Sequence, residues 1–307
     1  MGAAAVIELA RHNPAHLIFT GRNAKSAEAT ISSARAAAGG EAGAVPVTFI
    51  ECDLARLASV QAAADKVLAL VDRLDVLVCN AGIMAQPAAL SPDGYEIHFA
   101  TNHLGHALLT LKLLPLLEQT STTTPTTTTP PQNRARIIIV SSTAWKSGAP
   151  PGGIIFDALK TPQELGPGGR WLRYGQSKLA NLLWARELAA RHPRVLSLSV
   201  TPGVVATGSV AAFGLADRLL VYVANLGRVK KPEEGAWNLL WAVGVAVEGG
   251  GDRVGDGVGD AVGDAVQGGG FYEPVGALSA LQSKASRDPA LAGRLWEWTL
   301  AELKPFL

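Results

Sequence analysis

The chain has 307 residues, 48% apolar and 17% charged, with a formal net charge of +1. This supplies ample material for an apolar core and leaves no electrostatic footprint for nucleic acid or an anionic membrane surface. Two cysteines, Cys52 and Cys79, are too few for a disulfide framework; both fall in apolar strand-like runs, which reads as buried reduced thiols of a cytoplasmic protein.

The predicted elements alternate between strand and helix. HLIFTG (16–21) is a short apolar strand and AKSAEATISSARAAA (24–38) a helix closed by Gly39 and Gly40. VPVTFIECDL (45–54) is a β-branched run, after which Ser59 caps a helix over 59–71. LDVLVCNAG (74–82) is a buried strand that turns at Ala81-Gly82, and a long helix covers 94–119. RIIIVSS (136–142) is a continuous apolar strand of the kind found in parallel sheets. A helix over 174–192, a strand over 195–203, a helix over 233–247, a short strand GGFYEPVG (269–276) and an amphipathic helix over 288–303 complete the pattern. Repeated strand–helix units imply an α/β fold with a doubly wound, Rossmann-like parallel sheet and helices on both faces, in one domain spanning 1–307. Ligands of such sheets bind at the carboxyl ends of the strands.

Two segments interrupt this pattern. TSTTTPTTTTPP lies within a low-complexity stretch at about 119–133, and a V-G-D repeat of period four lies within about 248–270. Calcium-binding repeats of the G-G-x-G-x-D kind run with period nine, so both segments read as surface insertions, and no metal site is expected. The run LGHALLTLKLLPLL (104–117) is shorter than the roughly 18 apolar residues of a membrane span and carries His106 and Lys112, so no transmembrane segment is expected. No basic region followed by an apolar stretch opens the chain, so a secretory leader is not expected either.

The chemistry starts at YGQSK. Tyr174 and Lys178 share a helix face at i and i+4. A tyrosine hydroxyl is a poor acid or base at neutral pH, and a nearby ammonium favours the phenolate. Such a pair can hand a proton to a developing alkoxide or take one from an alcohol. The spacing alone also occurs on solvated helix surfaces. Further residues add to it: Ser141 and Ser142 end a buried strand, Asn80, Ala81 and Gly82 end another, and Asn102 sits inside an apolar helix where its amide needs a partner.

In this order, NAG (80–82), NHLGH (102–106), VSS (140–142), YGQSKLAN (174–181) and PG (202–203) resemble the short-chain dehydrogenase/reductase family over nearly the whole chain. NHLGH, QSKLAN and the long segment between Ser142 and Tyr174 are most similar to the branch containing retinol dehydrogenases and WW-domain oxidoreductases. GGFYEPVG and the terminal LWEWT look like filamentous-fungal members of it. The resemblance implies that Tyr174 is the proton donor or acceptor and that Lys178 lowers its pKa and holds the nicotinamide ribose. Ser142, rather than Ser141, would bond the substrate carbonyl, and Asn102 would fix a water that relays protons to Lys178. Asn80, Ala81, Gly82, Pro202, Gly203 and Thr207 would border the cofactor. Asp53, with Leu54 beside it, would touch the adenine end. Helices 94–119 and 174–192 form a dimer surface in many relatives, which makes a homodimer the implied assembly.

Two further expectations concern ligands. The strand before T-G-R-N ends on Arg22, whose planar cation suits a ribose 2′-phosphate, so the cofactor is expected to be NADP(H). The segment 204–229, largely apolar and containing Phe213, Leu219, Leu220 and Tyr222, would form the lid of the family's substrate site and suits a small hydrophobic ketone, aldehyde or alcohol. The corresponding function is an oxidoreductase; the competing reading is a non-catalytic relative that has lost dinucleotide binding.

The family's phosphate loop, T-G-x-x-x-G-x-G between a first strand and a first helix, is matched here only at its last glycine, Gly2. The first strand and the rest of the glycine-rich loop are missing, and the expectation is a translation start assigned to an internal methionine. That strand would be the middle of the sheet. Leaving its neighbours unpaired costs about 1–3 kcal/mol per buried orphan group, against a typical domain stability of about 5–15 kcal/mol. HLIFT and LDVLVCN are therefore expected either to pair directly or to leave a marginal fold.

Overall fold

The computed structural model describes residues 1–39, 45–123, 134–205, 229–244 and 266–307. Helix α1 (Gly2–Ala10) leads into strand β1 (Leu17–Gly21), helix α2 (Ala24–Ala37), strand β2 (Val47–Glu51), helix α3 (Leu57–Leu70) and strand β3 (Val76–Cys79). A single turn, α4 (Ile97–Phe99), passes through a π-helical turn at Ala100–Leu104 into α5 (Gly105–Thr123). Then come β4 (Arg136–Val140), α6 (Ala144–Gly148), the long α7 (Gly169–Arg191) and β5 (Leu196–Val200). The short strands β6 (Val204–Val205) and β7 (Val229–Lys230), helix α8 (Pro232–Gly244), strands β8 (Phe271–Glu273) and β9 (Ala277–Leu278), and helix α9 (Pro289–Leu303) follow.

Strands β3, β4, β5 and β8 lie side by side and parallel, and β9 adds an antiparallel edge. Side chains alternate between the two faces, as a strand period of two requires. Ile137 and Ile139 of β4 point into a core shared with α3, α5, α7 and α9. Ile138 and Val140, with Leu196, Leu198 and Val200 of β5, point into a second core shared with α1 and α8. The sheet is thus covered on both faces. Ser197 and Ser199 alternate with the apolar residues of β5 and are fully buried.

Of the two expected outcomes, direct pairing of HLIFT with LDVLVCN does not occur. Among the described residues β1 pairs only with β2, as a separate two-stranded parallel sheet, and β3 pairs only with β4. Packing joins the two sheets instead of a hydrogen-bond ladder. Met1, Ala4 and Ala5 of the first turns lie over β4 and β5 together with Val76 and Val78. Val6, Ile7 and Ala10 lie over β1, β2 and α2. Helix α1 therefore bridges both sheets on one face, while Ile18, Ile50, Cys52, Leu77 and Cys79 share the core on the other.

Two local expectations need correction. Helix α3 begins at Leu57, because Asp93 Oδ2 accepts the Leu57 N–H at 2.8 Å; Ser59 lies inside the helix and its Oγ accepts the Asp53 N–H at 3.0 Å. The expected uninterrupted helix over 94–119 starts instead at Ile97 and is broken by the π-helical turn. Residues 206–228 of the lid segment, Thr207 with them, and most of both low-complexity insertions lie outside the described residues.

Candidate active site

The parallel register brings the carboxyl ends of three strands to one level: Cys79 aligns with Ile139, and Val140 with Val200. Asn80, Ser141 and Thr201 leave the sheet there, and α7 crosses beside them. The two serines part at this point. Ser141 is buried and its Oγ donates to the Lys178 carbonyl at 2.7 Å, tying the strand end to the helix. Ser142 is half-buried, lies beside the Tyr174 hydroxyl, where it favours the phenolate, and accepts the Ala144 N–H on Oγ at 3.2 Å. Its own hydroxyl proton remains available to donate.

Tyr174 and Lys178 lie on one face of α7, with the Lys178 Nζ 5.8 Å from the tyrosine ring centroid. Burial raises the Tyr174 hydroxyl above its ordinary value, and the Ser142 hydrogen bond acts the other way. The expectation that Lys178 lowers that pKa meets a lysine that is itself depressed by burial to about 8, and whose Nζ donates to the Val140 carbonyl at 2.9 Å. The same carbonyl accepts Asn181 Nδ2 at 3.2 Å. The edge of Trp171 meets the tyrosine ring.

Asn102 sits in the π-helical turn. Such a turn inserts one residue into the helical repeat and re-aims the side chains that follow, a device common at functional sites. Asn102 is fully buried; its Oδ1 accepts the Ile83 N–H at 2.8 Å, and its Nδ2 donates to the Ile83 carbonyl and to Ser177 Oγ, each at 2.9 Å. It therefore braces the turn after β3 against α7. A Cβ at Gly82 would stand 2.8 Å from Asn102 Oδ1 and 3.6 Å from Lys178 Nζ, so only glycine fits there. His106 Nε2 donates to the Ala81 carbonyl at 2.7 Å and fixes the same turn from α5. Sequence reasoning assigns no role to His106, Asn181 or Val140; the first two stand in the motifs NHLGH and SKLAN, which is the signal that could have found them.

On the two-stranded sheet, Arg22 is exposed just beyond β1. Asp53 is half-buried, accepts the Ala55 N–H at 3.1 Å and lies 3.7 Å from Arg56, while Leu54 is buried beside it with its carbonyl against Gly105. Gly2 opens α1, and a Cβ there would stand 2.9 Å from Asn80 Nδ2. Pro202 and Gly203 follow β5; Gly203 has φ +76° and donates its N–H to Thr201 Oγ1.

These residues fit a nicotinamide dinucleotide. Among the described residues Asn80 Oδ1 is buried with no partner and no side chain caps α1, whose first turn presents N–H groups of the kind that bind a pyrophosphate, while Gly82 keeps the backbone bare beside Lys178.

The family described as short chain dehydrogenase matches residues 1–158 of this chain. The short-chain dehydrogenase/reductase drtF of Aspergillus calidoustus is 32% identical over 313 residues, covering 99% of this chain and 90% of that protein. Human retinol dehydrogenase 14 is 36% identical over 190 residues, 61% of this chain and 51% of its own length. A crystal structure of a protein from Mycobacterium paratuberculosis superposes with a TM-score of 0.63 at 28% identity, covering 99% of this chain and 89% of that one.

Proposed function

Because the chain belongs to the short-chain dehydrogenase/reductase family, we propose that it is an oxidoreductase moving a hydride between NADP(H) and a hydrophobic ketone, aldehyde or alcohol. The observation that carries this reading is the convergence of Ser142, Tyr174 and Lys178 at the carboxyl ends of β3, β4 and β5, braced by Asn102. The dinucleotide supplies or accepts the hydride when bound.

The chain's own residues handle the proton. Ser142 Oγ donates a hydrogen bond to the substrate oxygen and orients it next to Tyr174. In the reductive direction the Tyr174 hydroxyl passes its proton to that oxygen; in the oxidative direction the phenolate takes it. Lys178, one turn along α7, presents a cation that favours the phenolate once the tyrosine has given up its proton. Asn102 and His106 hold Ala81–Ile83 so that the backbone beside Lys178 stays open. Burial around the tyrosine hydroxyl favours its protonated form.

The choice of NADP(H) is supported by Arg22, a planar cation just beyond β1. A hydrophobic substrate is supported by the apolar composition of 204–229 and by the relative that acts on retinol, an apolar alcohol. A titration followed by nicotinamide fluorescence tests the reading. NADPH is expected to bind saturably in the micromolar range and more tightly than NADH. Tighter binding of NADH would remove the role given to Arg22, and no binding of either by the folded protein would overturn the reading.

A further inference from the structure

Beside the residues already described lies a buried charged cluster that the proton chemistry does not use. Arg173 immediately precedes Tyr174 on α7, and its guanidinium is almost wholly buried. Nη1 donates to the Gln163 carbonyl at 2.8 Å and Nη2 to the Gln86 carbonyl at 3.0 Å. Nε lies 3.4 Å from Glu96 Oε1. Glu96 is fully buried; its Oε1 also meets His98 Nδ1 at 2.8 Å, and its Oε2 accepts the Phe99 N–H at 2.8 Å. His98 Nε2 accepts the Gln86 N–H at 3.0 Å, which closes the circuit.

We propose that Arg173 is a positioning residue for substrate selection: its fork, held by Glu96, locks the two loops flanking Tyr174 into one relative geometry. The proposal rests on the oxidoreductase reading and deepens it. One loop runs from Gly82, next to Lys178 Nζ, through Gln86. The other belongs to the long segment between Ser142 and Tyr174 and contains Gln163. The first follows the carboxyl end of β3 and the second that of β4, the side of such a sheet on which ligands bind.

Both tethers sit at or beside left-handed backbone. Ala85 has φ +50° and Gln163 φ +52°, and neither is glycine. Such conformations persist where surrounding contacts over-determine them. Gln163 Oε1 in turn accepts Gln176 Nε2 of α7 at 3.1 Å, and the Glu96 N–H donates to the Leu159 carbonyl at 2.8 Å, so the loop with Gln163 has two ties besides Arg173, while Gln86 has one more through His98. A buried ion pair is a weak device for stability, since an apolar pair of the same shape serves as well. What a guanidinium supplies, and an ammonium does not, is two parallel donors at a fixed angle.

Arg173→Lys and Arg173→Met test this in two ways. Steady-state kinetics with NADPH and n-alkanals of increasing chain length give kcat and KM. Hydrogen exchange followed by mass spectrometry reads peptides covering 83–90 and 159–168. Arg173→Lys is expected to keep kcat for short alkanals within about threefold while raising KM for long ones about tenfold or more. Both peptides should exchange faster together, and millimolar guanidinium should restore KM in Arg173→Ala. A fall in kcat at unchanged KM, or faster exchange in only one loop or in neither, would overturn the proposal. If the wild type turns over no alkanal, NADPH binding decides the oxidoreductase reading separately, and the exchange of the two loops decides the clamp by itself. Should Arg173→Met not fold, Arg173→Lys and Glu96→Gln carry both measurements.

Discussion

Lys178 Nζ and the Val140 carbonyl stand 2.9 Å apart, and Asn181 Nδ2 reaches the same oxygen at 3.2 Å. A strand end thus holds the lysine of the candidate site through its backbone, inside the protein, in the absence of any carboxylate partner for it among the described residues. Burial disfavours the ammonium and places Lys178 at about 8, against 10.5 for an ordinary lysine.

This depressed value has a thermodynamic consequence. Between pH 8 and 10.5 the unfolded chain binds a proton at this site that the native chain has lost, so the group's contribution to stability rises with pH across that window. Below pH 8 the buried ammonium opposes folding in full. Lys178→Met is therefore expected to be more stable than the wild type at pH 7, by on the order of 1–3 kcal/mol, with the difference shrinking toward pH 10.5. Urea unfolding at several pH values measures it. Parallel stability curves for the two proteins would contradict the assignment.

The buried histidines act at the opposite end of the scale. Burial is the main cause that pushes His103 down to about 3 and His106 down to about 4. Both stay neutral in the native state while the unfolded chain takes up protons below about pH 6.5, so stability falls as pH drops from 6.5 toward 4. His106→Gln, which leaves an amide donor for the Ala81 carbonyl, should flatten that acid limb. Thermal unfolding at pH 7, 6 and 5 gives the slope, and an unchanged slope in the variant would remove His106 as its source.

Tyr174→Phe removes the hydroxyl that meets Ser142 and leaves the ring against Trp171. Turnover of hydrophobic carbonyls with NADPH is expected to fall by at least about a hundredfold, while the melting temperature stays close to that of the wild type. Retained turnover would take Tyr174 out of the chemistry.

Glycines give a contrast within the helices. A Cβ at Gly175, beside Tyr174, would lie 2.2 Å from the carbonyl carbon of Gly148 in α6. Gly175→Ala is expected to cost about 3 kcal/mol or more, or to prevent folding, because neither backbone can move without opening the site. Gly293 in α9 has nothing within 4 Å of its Cβ position, and Gly293→Ala should stabilise by up to about 1 kcal/mol. Denaturant midpoints for the pair are the check; equal effects would refute the packing argument at Gly175.

Several features are legible in the chain itself, for physical reasons tied to particular residues. A separation of i to i+4 on a helix puts Tyr174 and Lys178 on one face whatever surrounds them. A run such as RIIIV has no polar face and must be a strand covered on both sides, which places Ser141 and Ser142 at its carboxyl end. Asn102 in an apolar helix demands partners, and it has them in Ile83 and Ser177. Where local signals fail, the cause is long-range. Ser59 looks like a cap, yet Asp93, 36 residues away from Leu57, opens α3 earlier. The π-helical turn has no local signature in ATNHL, since its extra residue is set by what the side chains must reach.

The sequence by itself determined the α/β alternation, the parallel sheet flanked by helices and the shared helix face of Tyr174 and Lys178, because periodicity and spacing are properties of the chain alone; Ser142 and Asn102 joined that pair through the family resemblance. Tertiary structure alone decided that β1 and β3 stay unpaired with α1 bridging them, that Ser141 ties its strand end to the Lys178 carbonyl, that Lys178 rests on the Val140 carbonyl, and that Arg173 ties Gln86 to Gln163. Each of these joins groups far apart along the chain, and burial makes each of them costly to leave unmet; neither distance nor burial is written in the local pattern of residues.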